Sequence, residues 1–371
     1  MKFTVITHVN HTQKGNQYFG YAPYTREMNI WLKYVDELIL VAPLSNGVPT
    51  AIDLDYKHDK IRFKKVPNFN FINLKNGVIS ICKLPLIFLK IFQAMKSADH
   101  IHLRCPGNMG LIACIVQIFF PTKIKTAKYA GNWDPKSKQP LTYKLQKYIL
   151  TSTFMTRNMQ VLVYGDWQNH SKNVKPFFTA TYSESEKETF QKTEFDDVVE
   201  FIFVGSLVAG KTPMYAIKLV EKLLKLKKNI VLNLYGDGIE KVNLEEYIKA
   251  SQLDLHIFVH GNKDKETLKK AYQKSHFVIL PSKSEGWPKA VAEAMFWGCV
   301  PVATKVSCVP TMLDYGKRGI LLDMNLKEDT NQIEKILKDK SSYVTKSQLA
   351  AKWSQQYTTD LFEAEVEKLL K

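Results

Sequence analysis

Phe277-Val278-Ile279-Leu280-Pro281-Ser282-Lys283-Ser284-Glu285-Gly286-Trp287-Pro288-Lys289-Ala290-Val291-Ala292-Glu293-Ala294-Met295 decides how this chain is read. Phe277–Leu280 is a short apolar run of the kind that fills a buried strand, and it stops at Pro281. A loop of Ser, Gly and charged residues follows, and a helix opens where Pro288 takes a favoured first-turn position. The unpaired N–H groups of that first turn suit a phosphate. Glu293 lies about one and a half turns further on. A carboxylate there repels a phosphate but accepts two hydroxyl hydrogen bonds, so a ribose diol is its better partner. Its neighbours Val291, Ala292, Ala294 and Met295 are apolar, and a carboxylate in that company needs a partner. Glu285, in the loop, can accept hydroxyls from a sugar on the other side of a diphosphate. These groups together describe a nucleotide-sugar site.

The same rhythm extends outward over nearly the whole chain, as in parallel α/β sheets. In the first half strands are expected near Lys2–Val9, Glu37–Ala42, Ile61–Val66, His100–Leu103, Ile124–Tyr129 and Gln160–Val163. Helices are expected near Pro23–Val35, Asn76–Met95, Asn108–Phe119 and Pro140–Thr156. Ser183–Asp197 is polar and free of strand signal. The rhythm then restarts, with strands at Glu200–Val204, Asn229–Tyr235, His256–His260, Phe277–Leu280, Val300–Ala303 and Gly319–Leu322. Helices at Pro213–Leu226, Val242–Ala250 and Pro288–Phe296 separate them, and a polar stretch leads to a last helix, Asp360–Leu370. The expected division is a Rossmann-like domain over 1–182, a linker over 183–199, a second Rossmann-like domain over 200–345 and a helical segment over 346–371. That last segment is a candidate to pack back on the first domain. Two such sheets in tandem make a cleft, and open α/β sheets bind ligands beyond the carboxyl ends of their strands.

A length of 371 residues fits two domains, and 45% hydrophobic with 24% charged residues excludes a disordered or fibrous chain. Net charge is +16, unevenly spread: residues 1–190 carry 25 basic and 12 acidic side chains, residues 191–371 carry 27 and 24. The first half therefore suits something anionic. Cys82, Cys105, Cys114, Cys299 and Cys308 form no CxxC pair or zinc pattern and read as reduced thiols. The start is too soon interrupted for a signal peptide, and no uncharged apolar run reaches the roughly 18 residues of a spanning helix. The expectation is a cytoplasmic protein, with peripheral attachment to the inner face of the membrane open to it.

Glu285 and Glu293 stand in a Glu-x7-Glu arrangement, flanked by Leu280-Pro281-Ser282 and Trp297-Gly298-Cys299-Val300-Pro301-Val302-Ala303-Thr304. Phe203-Val204-Gly205, Lys211, Tyr235-Gly236-Asp237-Gly238 and Val259-His260-Gly261 precede them in order. Over roughly residues 200–325 the chain resembles the retaining GT-B glycosyltransferases of family 4, which carry the group-1 transferase domain. The resemblance implies two Rossmann-like domains facing a cleft. It also implies transfer of a sugar from a nucleoside diphosphate to a hydroxyl of a polysaccharide or lipid-linked glycan, with retained configuration and no metal or other cofactor. It implies that Glu293 holds the ribose, and that Glu285 with the backbone of Gly286, Trp287, Pro288 and Lys289 contacts the sugar and phosphates. Lys211 would neutralise the leaving diphosphate. Gly205, Ser206, Gly236 and His260 complete the donor side. Ser206 departs from the family, which usually has Arg there; Lys289, Lys283 or Arg104 are candidate substitutes.

Over residues 1–180 the resemblance is weak. His102 and Arg104 alternate with Ile101 and Leu103 and so share one side of a strand. The next strand, which in the family often ends in His-Gly, here ends Tyr129-Ala130-Gly131-Asn132-Trp133. Asn132 offers hydrogen bonds to a sugar. The loop His8–Gly20, with Gly15 and Gly20, suits close approach to a ligand. His102, Arg104, Asn132 and Gly15 are thus the acceptor-side candidates. The helix at Ile79–Lys96 mixes apolar residues with Lys83, Lys90 and Lys96 and is a candidate for an anionic membrane surface; a core helix with snorkelling lysines is the other reading. No nucleic-acid-binding motif accompanies the charge. A nucleotide-sugar-binding subunit without transfer activity is the alternative to an enzyme, motivated by Ser206 and the missing histidine.

Overall fold

The computed structural model describes the chain except residues 51, 68–73, 168–170, 189–197 and 227–228, and the side chains of 74–81. It divides into two units, Met1–Phe178 with Phe362–Lys371, and Thr179–Leu361.

The first unit runs β1 (Lys2–Ile6), β2 (His11–Lys14), β3 (Gln17–Tyr21), α1 (Ala22–Trp31), β4 (Glu37–Pro43), β5 (Asp53–Asp55) and β6 (Ile61–Val66). It continues with α2 (Leu74–Ser97), β7 (His100–Cys105), α3 (Asn108–Val116), β8 (Ile124–Tyr129), α4 (Leu141–Thr151), β9 (Met159–Tyr164) and β10 (Val174–Phe177). Seven of these strands form one sheet in the order β10-β9-β8-β7-β1-β4-β6, every neighbouring pair parallel. The chain order reverses at β1, which lies between β7 and β4 and makes its carboxyl end the switch point of the sheet. The near-continuous apolar strands follow from burial on both faces: Leu38–Ala42 of β4 are wholly buried, and Ile87, Ile91 and Met95 of α2 close one side.

The expected loop over His8–Gly20 is instead largely an antiparallel hairpin. β2 pairs with β3 and β3 with β5 in a small separate sheet. Gln13 and Lys14 are polar and gave no strand signal; the turn at Gly15, with φ 59°, makes the hairpin.

The second unit runs β11 (Val199–Val204), α5 (Pro213–Leu224), β12 (Ile230–Tyr235), α6 (Lys241–Ala250), β13 (Ile257–Val259), α7 (Lys265–Lys274), β14 (Phe277–Leu280) and α8 (Lys289–Phe296). It ends with β15 (Val300–Thr304), α9 (Val309–Met312), β16 (Ile320–Leu322), α10 (Leu326–Lys338), α11 (Lys340–Ser354) and the start of α12 (Thr359–Leu370). Its six-stranded sheet, β13-β12-β11-β14-β15-β16, is parallel throughout. Helices α7 and α10 stand where the sequence reads only polar connections, and α11 begins ahead of the helical segment expected over 346–371. Each has a side-chain cap: Asp264 accepts from the Thr267 N–H, Asn325 from Lys327 and Glu328, Asp339 from Ser342.

The chain passes between units at Phe178–Thr179, ahead of the stretch expected as linker, and returns at Leu361–Phe362, so 346–361 stays with the second unit. Packing explains the first boundary. Tyr182 is buried against Phe296 and Trp297, and Glu186 caps Ser183 and pairs with Lys265 and Lys269. These contacts tie the residues just past Phe178 into the second unit; 189–197 lie outside the described residues. Phe362 packs on Phe177 and Phe178 of the first unit. Among the described residues no helix is long and apolar enough to cross a membrane, and all five cysteines are free thiols.

Candidate functional site

The donor-side candidates gather at the carboxyl ends of β11, β12, β13 and β14. Beyond the strands the backbone ladder continues into the loops: Gly205 N–H donates to the Tyr235 carbonyl, Leu207 N–H to Asp237 and Gly236 N–H to Gly261. This close approach needs glycine at two places. A Cβ on Gly236 would stand 1.9 Å from the Gly205 carbonyl oxygen, and one on Gly238 would stand 2.3 Å from that of Leu207. Both have positive φ, 148° and 159°. Gly205 itself has room, with 3.8 Å to the nearest atom a Cβ would meet. Ser206 is exposed at the tip. His260 stacks on Tyr235 with ring centroids 4.5 Å apart, and its Nε2 lies 2.7 Å from Asn233 Oδ1. Burial, with Lys263 nearby, lowers the pKa of this imidazole and favours its neutral form.

The loop after β11 is anchored to the loop after β14. Lys283 N–H donates to the Gly210 carbonyl at 2.9 Å, and the Thr212 hydroxyl donates to Pro281 O, with Thr212 in the left-handed region at φ 45°. This anchoring brings Lys211 Nζ to 2.5 Å from Glu285 Oε1. Glu285 is 8% exposed, while the Lys211 side chain keeps 29% of its surface. The two groups expected to act on the transferred sugar and its diphosphate are therefore an ion pair. An ammonium has three donors, so two remain for phosphate oxygens after one is given to Glu285. The Gly286 carbonyl accepts from the Ser307 hydroxyl and the Cys308 thiol, each at 3.3 Å. Burial pushes the Cys308 thiol up to about 12, which keeps it a neutral donor.

Helix α8 begins at Lys289, with Pro288 as its N-cap rather than its first residue. Glu293 sits on its second turn. Its carboxylate accepts from the Thr181 hydroxyl at 2.7 Å and the Tyr272 hydroxyl at 3.1 Å. A carboxylate has about four lone-pair positions, so capacity for a diol remains. Trp287 and Lys289 line the same cleft, and Trp287 stacks on Trp353 at 6.0 Å. Nothing in the sequence marks Thr181 or Tyr272 as partners of Glu293. Thr181 precedes the stretch read as linker, and Tyr272 lies in α7, which the sequence hid behind lysines.

In the first unit the acceptor-side candidates separate into buried and accessible groups. His102 is wholly buried: its Nδ1 lies 2.8 Å from Thr126 Oγ1, and Trp31 and Phe3 pack on its ring. Burial holds its pKa well below the usual value, so it is a neutral core histidine out of reach of an acceptor. Arg104 pairs with Glu27 at 3.2 Å, and the buried Lys128 pairs with the same Glu27 oxygen at 2.8 Å. Two cations thus share one carboxylate beneath the carboxyl edge of β7 and β8, a group the sequence could not assemble because Glu27 comes from α1. Asn132 uses its Oδ1 to hold the Asp134 N–H in a turn. Gly15 lies in the β2–β3 turn. The histidine exposed at the carboxyl end of β1 is His8, against which Gly107 packs so closely that a Cβ there would be 3.1 Å from Nδ1. Among the described residues no three His, Cys, Asp or Glu side chains are grouped to hold a metal ion.

Comparison with known proteins follows this division. Residues 184–357 match the family described as glycosyl transferases group 1. Protein CapJ of Staphylococcus aureus is 27% identical over 272 residues, 66% of this chain and 68% of that protein. An uncharacterized glycosyltransferase of Haemophilus influenzae is 28% identical over 156 residues, 42% of this chain and 44% of that one, so the shared stretch is less than half of either. Among solved structures, Anabaena HepE in complex with UDP aligns over 100% of this chain and 99% of its own, with a TM-score of 0.71 and 14% identity. That identity speaks to the fold alone. The match to glycosyl transferases group 1 thus lies within the second unit, in a chain whose two Rossmann-like halves have the GT-B fold.

Proposed function

We propose that this chain is a retaining glycosyltransferase that moves a sugar from a nucleoside-diphosphate donor to a hydroxyl of a polysaccharide or lipid-linked glycan. The observation that carries the reading is the pairing of Lys211 with Glu285 beside the glycine-laddered strand ends, with Glu293 on the helix that follows. Glu293 accepts the ribose hydroxyls, alongside the hydroxyls of Thr181 and Tyr272. The first turn of α8 and the remaining donors of Lys211 take the phosphates. Glu285 then faces the sugar. In the reaction the bond from the anomeric carbon to the phosphate oxygen breaks and one to the acceptor oxygen forms. The diphosphate carries away the bonding pair, and its departing oxygen takes up the proton that the acceptor hydroxyl releases. Lys211 and the helix turn stabilise that growing charge without a metal ion or other cofactor. The family match and the UDP held by the structurally similar HepE support this reading.

The basic first half, with 25 basic against 12 acidic side chains over residues 1–190, suits an acceptor with phosphate, such as a lipid-linked glycan, and the protein then works on the cytoplasmic side of a membrane. Incubation with a panel of nucleotide sugars and a membrane lipid extract tests the proposal. The expected result is acceptor-dependent diphosphate release that Glu285→Gln and Lys211→Ala suppress, and a product of unchanged anomeric configuration. Binding without turnover under every donor and acceptor would favour a non-catalytic nucleotide-sugar-binding subunit.

A further inference from the structure

Helix α4 carries an apolar stripe that faces away from the protein. Leu141, Leu145 and Tyr148 follow at i, i+4 and i+7, one side of a helix, and are 82%, 44% and 68% exposed. Phe154, in the turn after the helix, is 75% exposed with the Arg157 guanidinium 5.0 Å from its ring. The opposite side holds Gln146, Ile149 and Leu150, which are buried in the core of the unit. The stripe is therefore a second apolar face on a helix that already has its core contact. Lys136, Lys138, Lys144 and Arg157 are exposed around it. Asp134 is the one acidic residue between Asp99 and Asp166, and its Oδ1 is turned to the Lys136 N–H at 2.8 Å.

We propose that this face of α4 docks the protein on an anionic lipid bilayer, with Leu141, Leu145, Tyr148 and Phe154 entering the headgroup boundary and the surrounding cations meeting lipid phosphates. The inference differs from the sequence expectation, which put the membrane surface on α2. There Ile87 and Ile91 are in the core and Lys90 is turned to the Lys65 carbonyl at 2.6 Å, and among its described side chains Leu86 and Leu89, 48% and 55% exposed, are the exposed large apolar ones. Three features favour a bilayer over a protein partner. The exposed charges that flank the helix in sequence, Lys136, Lys138, Lys144 and Arg157, are of one sign, as a surface of anionic headgroups requires. An eleven-residue helix is about 16 Å long, and a strip of one side falls far short of the roughly 800 Å² per partner of a stable interface. The outward side of the helix sets aromatic and aliphatic residues together with lysines at their edge, as in helices that lie in a membrane interface. Helix α4 is the next helix after the carboxyl end of β8, reached through the connection 130–140 that carries Asn132, so the bilayer would lie on the side of the acceptor-side groups.

The docking does not depend on the transferase reading, and the test uses neither donor nor acceptor. The full chain is sedimented with vesicles of phosphatidylcholine, with and without phosphatidylserine, at about 0.15 M salt. The wild type is expected to bind only the anionic vesicles. Lys138→Ala with Lys144→Ala should weaken binding about 30-fold, and Leu141→Ser with Tyr148→Ser at least about tenfold. Leu86→Ser and Ile239→Ser, at exposed apolar positions elsewhere, should bind as the wild type does. Tyr148→Trp keeps the test independent of folding losses: the emission of the added indole should shift to the blue with anionic vesicles. Binding unchanged in the α4 variants, equal binding to neutral vesicles, or an added emission in Tyr148→Trp that does not shift would overturn the proposal. So would a wild-type dimer in velocity sedimentation that Leu141→Ser with Tyr148→Ser dissolves, because a second copy would then be the occupant.

Discussion

The two units use one architecture, a parallel sheet with its loops at the carboxyl edge, and treat polar groups there in opposite ways. In the second unit the loops are joined by backbone hydrogen bonds across Gly205, Gly236 and Gly261, and Lys211 and Glu293 sit partly open above them, with Glu285 buried beneath Lys211. In the first unit polar side chains go inward. Near the carboxyl edge Lys128 is buried and Glu27 serves both Lys128 and Arg104; further back along β7 and β8, His100, His102 and Lys125 are buried too, as is His11 of β2. A backbone scaffold can present the same donors to any phosphate-bearing ligand. A buried network of side chains fixes one arrangement and leaves recognition to the few exposed groups, such as His8. The contrast agrees with the proposed division into a donor site presented by backbone and an acceptor side read by side chains.

The largest effect that would break this contrast is at Gly236. Gly236→Ala forces a Cβ into the Gly205 carbonyl and should cost more than about 3 kcal/mol. Gly205→Ala, which meets nothing closer than 3.8 Å, should cost less than about 1 kcal/mol. Urea titrations of the two variants measure the difference; equal losses would show that the loops are not joined as described.

Next in size is Lys211→Ala, which removes the cation and leaves Glu285, 8% exposed, without it. Diphosphate release should fall about 100- to 1000-fold at saturating donor, read by single-turnover kinetics. A change in KM alone would place Lys211 in binding only.

The pH dependence of stability should separate the units. Burial lowers His11 and His100 to about 4 and holds His102 well below 6.5. Unfolded, these histidines bind protons below about 6.5; folded, His11 and His100 resist until about 4 and His102 resists as well, so stability is full above 6.5 and is lost as pH falls below it. Each of the first two accounts for a loss on the order of 3 kcal/mol as the pH falls from neutral to about 4. Proteolysis in urea at pH 7 and pH 5, with the fragments identified by mass, should show the first unit weakening much more than the second. The smallest effect concerns His102. His102→Gln should leave turnover within about twofold and cost about 1–2 kcal/mol of stability through the bond to Thr126; a large loss of turnover would return it to the acceptor side.

How much the sequence disclosed differs between the units for the same reason. Phe277–Met295 shows strand, loop and helix because the pattern is local, and Lys211, Gly236 and His260 stand near strand ends that apolar runs mark clearly. Side-chain partners from distant elements were not legible. Nothing near Glu293 points to Thr181 or Tyr272, and nothing near Arg104 points to Glu27. The alternation of His102 and Arg104 with apolar residues located them on one face of β7, but only packing of Trp31 and Phe3 shows that this face is closed at His102. Polar strands such as β2 and lysine-rich helices such as α7 gave no periodic signal strong enough to stand out from loops.

The central claim is that the second unit holds a nucleoside diphosphate through Glu293 and the loops around it. Calorimetric titration of the wild type with UDP, GDP and ADP tests it most directly. One of the three should bind, at least about tenfold more weakly to Glu293→Gln, and equally well to His102→Gln. Absence of binding by all three, or equal affinity in Glu293→Gln, would contradict the account.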